Sequence, residues 1–389
     1  MTDLSLYKGR EQTAIKHEIF GKYLLRFACI VGGQWESITY VDCFSGPWKE
    51  KAADYSDTSF GIAIEHLKSA RDAVYKTKDK KLKLRCFFVE KEADAYERLE
   101  RHAAQHRGPD LDIVTFKGEF ENAIPDIIKY VHAGGPHTFP FFFIDPTGWT
   151  GFAMDRLLPI FALPRVELMI NFMTAFVSRF CKTDDSFADL FGFDVRPRLA
   201  ELKGIDRDDA AVAAYMDTLR TRGKFDHVVP AIVLKPGEDK THFHLIYATR
   251  HRKGLEVFKE AEKSAVGVMN KLRAEVKVER AEGPQELLFP AVDIDPSTMS
   301  HVESLRNRYK SQARERVRLL LLKKTEVPYD DAWAETVQWT PLTWESDLKD
   351  WIKAWQSSGQ LEIPTLQPKK KVPTLNDGHR LRLAGTTLD

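Results

Sequence analysis

Four carboxylates in this 389-residue chain stand where strongly apolar runs stop. Asp42 stands near the end of SITYVDCF, Glu90 follows LKLRCFFV, Glu119 follows DIVTFKG, and Asp145 follows FPFFFI. An acid at the exit of a buried strand is held rigidly at the rim of a sheet, where it can accept hydrogen bonds from a ligand. Each exit suits a different task. In the turn holding Asp42, Ser45 and Gly46, the glycine lets the backbone approach a ligand closely because it has no Cβ. Glu90 stands where an acid takes the ribose diol of a nucleoside cofactor. Glu119 beside Phe120 sets a carboxylate next to a ring and suits a purine. Asp145, Pro146 and Trp149 join an acid to an aromatic side chain, so Asp145 can accept a hydrogen bond from a substrate amine while Trp149 stacks on a base.

Taken singly, each signal has an ordinary reading. An acid after a strand is often a helix N-cap or turn former, and Asp-Pro often opens a turn. Their order along the chain is more specific: glycine turn, ribose acid, base-proximal acid, then catalytic-loop acid. S-adenosylmethionine-dependent methyltransferases have that order. Trp48 departs from it, standing where the last glycine of the first loop is expected.

Two further clusters are basic or histidine-rich. THFHLIYATRHRK places His242 and His244 on one side of a strand, with no acid or cysteine nearby to complete a metal site. Arg250, Arg252 and Lys253 follow, and Lys369, Lys370 and Lys371 lie near the end. Both groups could meet nucleic-acid phosphates or form solvated loops.

The elements that position these groups follow from periodicity. Residues 11–31 read as an amphipathic helix. Strands are expected at 37–44, 82–89, 112–117, 139–144 and 166–172, with helices between them. Strands alternating with helices imply βαβ units and a mostly parallel sheet. Residues 228–234 and 242–249 read as an antiparallel edge pair after a helical insertion at about 183–223, and 254–275 as a helix. The expected fold class is α/β: a Rossmann-like methyltransferase sheet with helices on both faces over 1–282, a Pro-punctuated linker at 283–300, and a winged-helix-like domain at 301–389. In that last domain a basic helix precedes one with Trp344, Leu348, Trp351, Ile352 and Trp355 on one face, then strands at 360–363 and 380–383.

The stretches KHEIFGKYLLRF, YVDCFSGPW, FFVEKE, FKGEFENAI, FFFIDPTGW and HLIYATRHRKGLEVF make the chain resemble the three-Cys-motif partner proteins, TcmP, over roughly residues 10–265. The resemblance implies a Rossmann methyltransferase fold, S-adenosylmethionine as cofactor, and a radical-S-adenosylmethionine partner protein that carries the three cysteines. Amino-group methyltransferases hold the target amine with an acid or amide followed by Pro-Pro and an aromatic residue. DPTGW keeps the Asp-Pro pair and an aromatic residue but not the second proline.

Composition adds bounds. With 58 basic and 57 acidic residues the net charge is +1, so only local clustering can speak for nucleic acid. Cysteines at 29, 43, 86 and 181 form no CxxC pair, which argues against a zinc or disulfide framework, and Cys43 and Cys86 lie in apolar runs. No run reaches the roughly 18 apolar residues of a membrane span. MTDLSLYKGREQ has no signal-peptide apolar region, so a cytoplasmic protein is expected. Two readings of function follow. One is a methyltransferase-like protein acting on or with nucleic acid, in DNA modification or repair. The other is a non-catalytic adaptor with a decayed methyltransferase fold that binds DNA or docks the radical enzyme.

Overall fold

The computed structural model describes residues 3–46, 50–181, 183–281, 300–366, 372–385 and 388. Trp48, the linker at 283–299 and Lys369–Lys371 lie outside the described residues. The chain divides into two compact units, Met1–Val228 with Ile232–Arg280, and Ala281–Asp389 with Val229–Ala231. Among the described residues no helix is long and apolar enough to cross a membrane.

In the first unit, α1 (Glu11–Gly32) precedes β1 (Ser37–Asp42), and α2 (Ser59–Lys78) leads to β2 (Lys83–Glu90). Next come α3 (Ala93–His106), β3 (Leu111–Lys117), α4 (Phe120–Ala133), β4 (Thr138–Ile144), α5 (Met154–Phe161) and β5 (Glu167–Phe172). Four helices follow: α6 (Thr174–Phe180), α7 (Phe187–Phe191), α8 (Arg196–Leu199) and α9 (Gly204–Thr221). The unit closes with β6 (His227–Leu234), β7 (Thr241–Thr249) and α10 (Arg252–Ala281). The helical insertion thus begins at Thr174, earlier than its polar texture suggested.

β1 to β7 form one sheet in the order β3-β2-β1-β4-β5-β7-β6. β1 to β5 run parallel, and β7 lies antiparallel to β5. The six-residue loop from β6 to β7 is too short for a parallel crossover, so the two form an edge pair. This is a mostly parallel, Rossmann-like sheet flanked by helices, with its topological switch between β1 and β4.

β1, β4 and β5 are buried along their whole length, as expected of strands covered on both faces. The aromatic run in β4 follows from this. Phe139, Phe141 and Phe143 face α1, where Phe27, Tyr23 and Phe20 meet them at ring distances of 5.5, 5.5 and 4.4 Å. Phe142 and Ile144 face the opposite layer, with Ile124, Ile127, Leu157 and Ile160. Alternation along the strand gives each helical layer its own side chains, so β4 is apolar at every position from Phe139 to Ile144.

Two strand boundaries differ from the periodicity. β1 stops at Asp42 rather than Phe44, because the Asp42 carboxylate accepts the Phe44 N–H at 3.2 Å and turns the chain. β2 runs on through Glu90.

The second unit contains α11 (His301–Lys324), β8 (Glu326–Pro328), α12 (Tyr329–Val337), α13 (Glu345–Ser357), β9 (Leu361–Glu362) and β10 (Arg380–Leu383). β10 is the central strand, antiparallel to both β8 and β9. β8 is too short to register as a period. Leu348, Trp351, Ile352 and Trp355 are buried on one face of α13. Trp344 is instead its half-buried N-cap residue, with the Arg306 guanidinium 3.9 Å over its ring. Arg306 also donates to Asp347 at 2.7 Å, fixing the first turn of that helix.

Candidate active site at the carboxyl ends of the sheet

The carboxyl ends of β1 to β5 open on a cavity of about 830 Å³, within the size range of cofactor pockets. Gly46, Glu90, Glu119, Phe120, Asp145 and Pro146 all line it, so the parallel sheet brings together residues spread over a hundred positions. Asp42, Ser45 and Trp149 do not line it, for separable reasons.

Ser45 is a structural clamp. Its Oγ donates to the Asp42 carbonyl at 2.8 Å and accepts the Val89 N–H at 3.2 Å, tying the exits of β1 and β2 together. Asp42 is fully buried beneath the turn, with Tyr40 donating to its Oδ2 at 3.2 Å. Desolvation pushes its carboxyl up to about 6, against hydrogen bonds from Ser59, Phe44 and Tyr40 that favour the charged form. The sign of the consequence is fixed. The folded protein holds this proton more tightly than the unfolded chain, so stability falls as pH rises from about 4 to about 6, by about 3 kcal/mol for a shift of this size. Asp42→Asn should remove that loss. The difference between wild-type and variant melting temperatures, measured from about pH 4 to 7, should widen in favour of the variant as pH rises. A constant difference would show that Asp42 is not the group responsible.

Trp149 turns away from the cavity into an aromatic stack. Its ring lies 5.2 Å from both Phe187 and Phe180 and 5.3 Å from Phe176, and its Nε1 donates to Ser186 Oγ at 3.0 Å. It anchors the loop after β4 to the helical insertion and is not placed to stack on a ligand base. The insertion supplies three phenylalanines, which win the ring because burial favours aromatic pairs.

Glu90 is 5% exposed and lines the cavity, held in place by the backbone N–H of Glu92, which it accepts at 2.7 Å. Burial raises its carboxyl above the ordinary range, against the backbone N–H groups of Glu92 and Lys91. Gly118 holds φ at +154°, and a Cβ there would come 2.8 Å from the Phe116 ring, so the turn after β3 requires glycine. Its N–H donates to the Glu90 carbonyl at 2.9 Å. That bond sets the exposed Glu119 beside the buried Phe120, whose ring meets Phe44 at 5.6 Å.

Asp145 is not an open carboxylate. Its Oδ2 accepts from Lys16 Nζ at 2.5 Å and its Oδ1 from Asn171 Nδ2 at 2.7 Å. Neither partner was anticipated, yet both follow from register. Lys16, Phe20, Tyr23 and Phe27 form one stripe of α1, at i, i+4, i+7 and i+11. That stripe runs against Asp145, Phe143, Phe141 and Phe139 of β4, so the lysine and the aspartate are the polar ends of one aromatic stack. Ile144 pairs with Ile170 across β4 and β5, which puts Asn171 opposite Asp145. The signal lay in pairing α1's stripe with β4, which neither segment reveals alone.

α1 also brings Arg10 and His17 to the cavity. Arg10 pairs with the buried Asp57 at 2.5 Å, and Tyr7 OH meets His17 Nδ1 at 3.0 Å. His242 and Phe243 reach it from the start of β7. His244 instead points into the core, 2.7 Å from Thr174 Oγ1, so the two histidines do not act as a pair.

The basic run after β7 is elsewhere. β7 is antiparallel to β5, with Ala248 beside Leu168 and His244 beside Phe172, so Arg250, Arg252 and Lys253 sit at the end of the sheet away from the cavity. Arg250 donates to the carbonyls of Phe161, Leu163, Gly223 and Lys224. It closes three chain segments rather than waiting for phosphate. Lys253 pairs with Glu256 at 2.8 Å.

No family model matches the chain, and no curated protein does. Among solved structures, the chain is similar to a loganic acid methyltransferase with SAH, at 11% identity and a TM-score of 0.32. The match covers 72% of this chain and 92% of that one, and nothing about the site follows from a likeness at that score.

Proposed function

We propose that the first unit binds S-adenosylmethionine and is a methyltransferase-like protein. The supporting observation is the set of groups at the switch point. Glu90, nearly buried and held by backbone amides, faces a nucleoside-sized cavity where a ribose diol would complete its hydrogen bonds. Phe120 and Phe44 offer an apolar wall for an adenine, and Glu119 an acceptor for its amino group. Among the lining residues five acids (Asp57, Glu90, Glu119, Glu121, Asp145) stand against three bases (Arg10, Lys16, Lys91), a balance that suits a cationic ligand. Bound there, the cofactor would supply an electrophilic methyl group. Calorimetric titration with S-adenosylmethionine and S-adenosylhomocysteine tests the reading, and failure of both to bind refutes it.

The second unit supports a winged-helix reading with nucleic acid as the ligand. Its helices and strands come in the order helix-strand-helix-helix-strand-strand. α11 carries eight Lys and Arg against two Glu, with Arg314, Arg316, Lys323 and Lys324 exposed. α13 is a poorer candidate for a groove, since Lys349 and Lys353 are paired with Glu345 and Asp350. Phosphate contact would therefore come from α11 and Lys369–Lys371. Deleting residues 364–389 would remove the central strand β10, so the sound test replaces the three lysines by glutamine. Binding of 20-mer DNA and RNA should weaken, and its salt dependence should flatten. An unchanged slope would leave α11 to act alone. A radical-S-adenosylmethionine protein as partner rests on the family resemblance.

One observation favours the second reading, a non-catalytic adaptor: both oxygens of Asp145 are engaged by side chains of the protein itself. Bound this way, Asp145 already has its charge paired with an ammonium and is a weaker partner for an amine.

A further inference from the structure

The occupied carboxylate carries a more specific consequence. Resting on the methyl-transfer reading, we propose that the acceptor seat of this cavity selects a hydroxyl group, through Lys16 and Asn171, with His242 receiving its proton.

Lys16 is paired with Asp145, only 12% of its side chain exposed, so an amine arriving there meets a carboxylate already held by an ammonium rather than a free one. An amine that gains a methyl group also gains positive charge, which the ammonium opposes. A hydroxyl oxygen that loses its proton develops negative charge, which the same ammonium stabilises. Lys16 therefore separates the two acceptor classes by the sign of the charge that develops.

Asn171 adds a separate observation, which selects an acceptor that brings a donor hydrogen. It is 3% exposed and lines the cavity, and its Nδ2 is committed to Asp145. That fixes the amide's orientation and leaves Oδ1 as a buried acceptor with no hydrogen-bond partner among the described residues. Such an orphan costs about 1–3 kcal/mol unless a ligand completes it. The atom required is a donor hydrogen. A hydroxyl supplies one, and can still accept from Lys16. A carboxylate acceptor supplies none and would face Asn171 Oδ1 lone pair to lone pair.

His242 offers a destination for the proton. It lines the same cavity, and its Nδ1 is buried without a partner among the described residues. Burial first, then the ammonium groups of Lys235 and Lys16, hold its imidazole below the usual range, so it is neutral and able to accept. With S-adenosylmethionine bound, the hydroxyl oxygen would take the methyl group as the carbon–sulfur pair leaves with sulfur as a neutral thioether, and the single hydroxyl hydrogen, turned from Asn171 Oδ1 to His242, would pass to that imidazole and on to solvent.

The test uses binding rather than turnover. Sinefungin matches S-adenosylhomocysteine but carries a primary amine where the transferred methyl would lie, so it reports on the acceptor seat with no substrate known. Wild-type protein should bind sinefungin no more tightly than S-adenosylhomocysteine. Lys16→Met frees the Asp145 carboxylate, and sinefungin should then bind at least about tenfold more tightly than S-adenosylhomocysteine. Lys16→Gln provides the same comparison should the methionine variant not fold. A wild-type preference for sinefungin of about tenfold, or no gain in the Lys16 variants, overturns the inference while leaving the cofactor reading intact. Failure of wild-type protein to bind S-adenosylhomocysteine overturns both.

Discussion

Phe141→Ala should destabilise the protein by about 3–5 kcal/mol in urea unfolding, the range for emptying a buried aromatic site. Phe141 has no exposed surface, and its ring touches Tyr23 at 5.5 Å, Phe27 at 5.2 Å and Tyr40 at 6.1 Å. These three rings come from α1 and the neighbouring strand β1, so the void cannot close by movement of one element. Phe141→Leu keeps most of the volume and should lose much less. A loss below about 1 kcal/mol for the alanine variant would mean that the stack can collapse, and that β4 is not the rigid carrier described above. The functional consequence is geometric. The same stripe of α1 ends at Lys16, and a shift of that helix would move the ammonium off Asp145.

Glu90→Ala should weaken S-adenosylhomocysteine binding by at least about tenfold, since losing two charge-assisted hydrogen bonds to a ribose costs about 2–4 kcal/mol. Glu90→Gln keeps an acceptor and should lose less. Because burial raises this carboxyl, the wild-type protein should lose affinity on acidification at a higher pH than an ordinary glutamate would dictate. The loss follows protonation, since the neutral acid is the weaker acceptor. The fold should persist in Glu90→Ala, as the carboxylate's partners are backbone amides at the start of a loop. Equal affinity in wild type and Glu90→Ala, with an unchanged circular dichroism spectrum, would remove Glu90 from the site.

Local sequence determined the strands, and through them where the acids stand. The apolar runs at 37–44, 82–89, 139–144 and 166–172 each became an inner strand of the parallel sheet, because a strand buried on both faces needs largely apolar residues, and the alternating run at 112–117 became its half-buried edge strand. Strand exits of a parallel sheet share one edge, so Glu90, Glu119 and Asp145 had to converge once the alternation of strand and helix was read. Partnership was not legible in the same way. That Lys16 would neutralise Asp145 depends on the rotational phase of α1 against β4, a pairing of segments more than a hundred residues apart. Trp149 looked like a stacking platform because no local signal shows that Phe176, Phe180 and Phe187 return to cover it. Arg250 looked like a phosphate ligand because its carbonyl partners come from two other turns, and β7's reversal, which carries it to the far end of the sheet, is set by sheet order. Periodicity is a property of one element and is written in its own residues. Which polar groups satisfy one another across elements is decided only when packing fixes their distances.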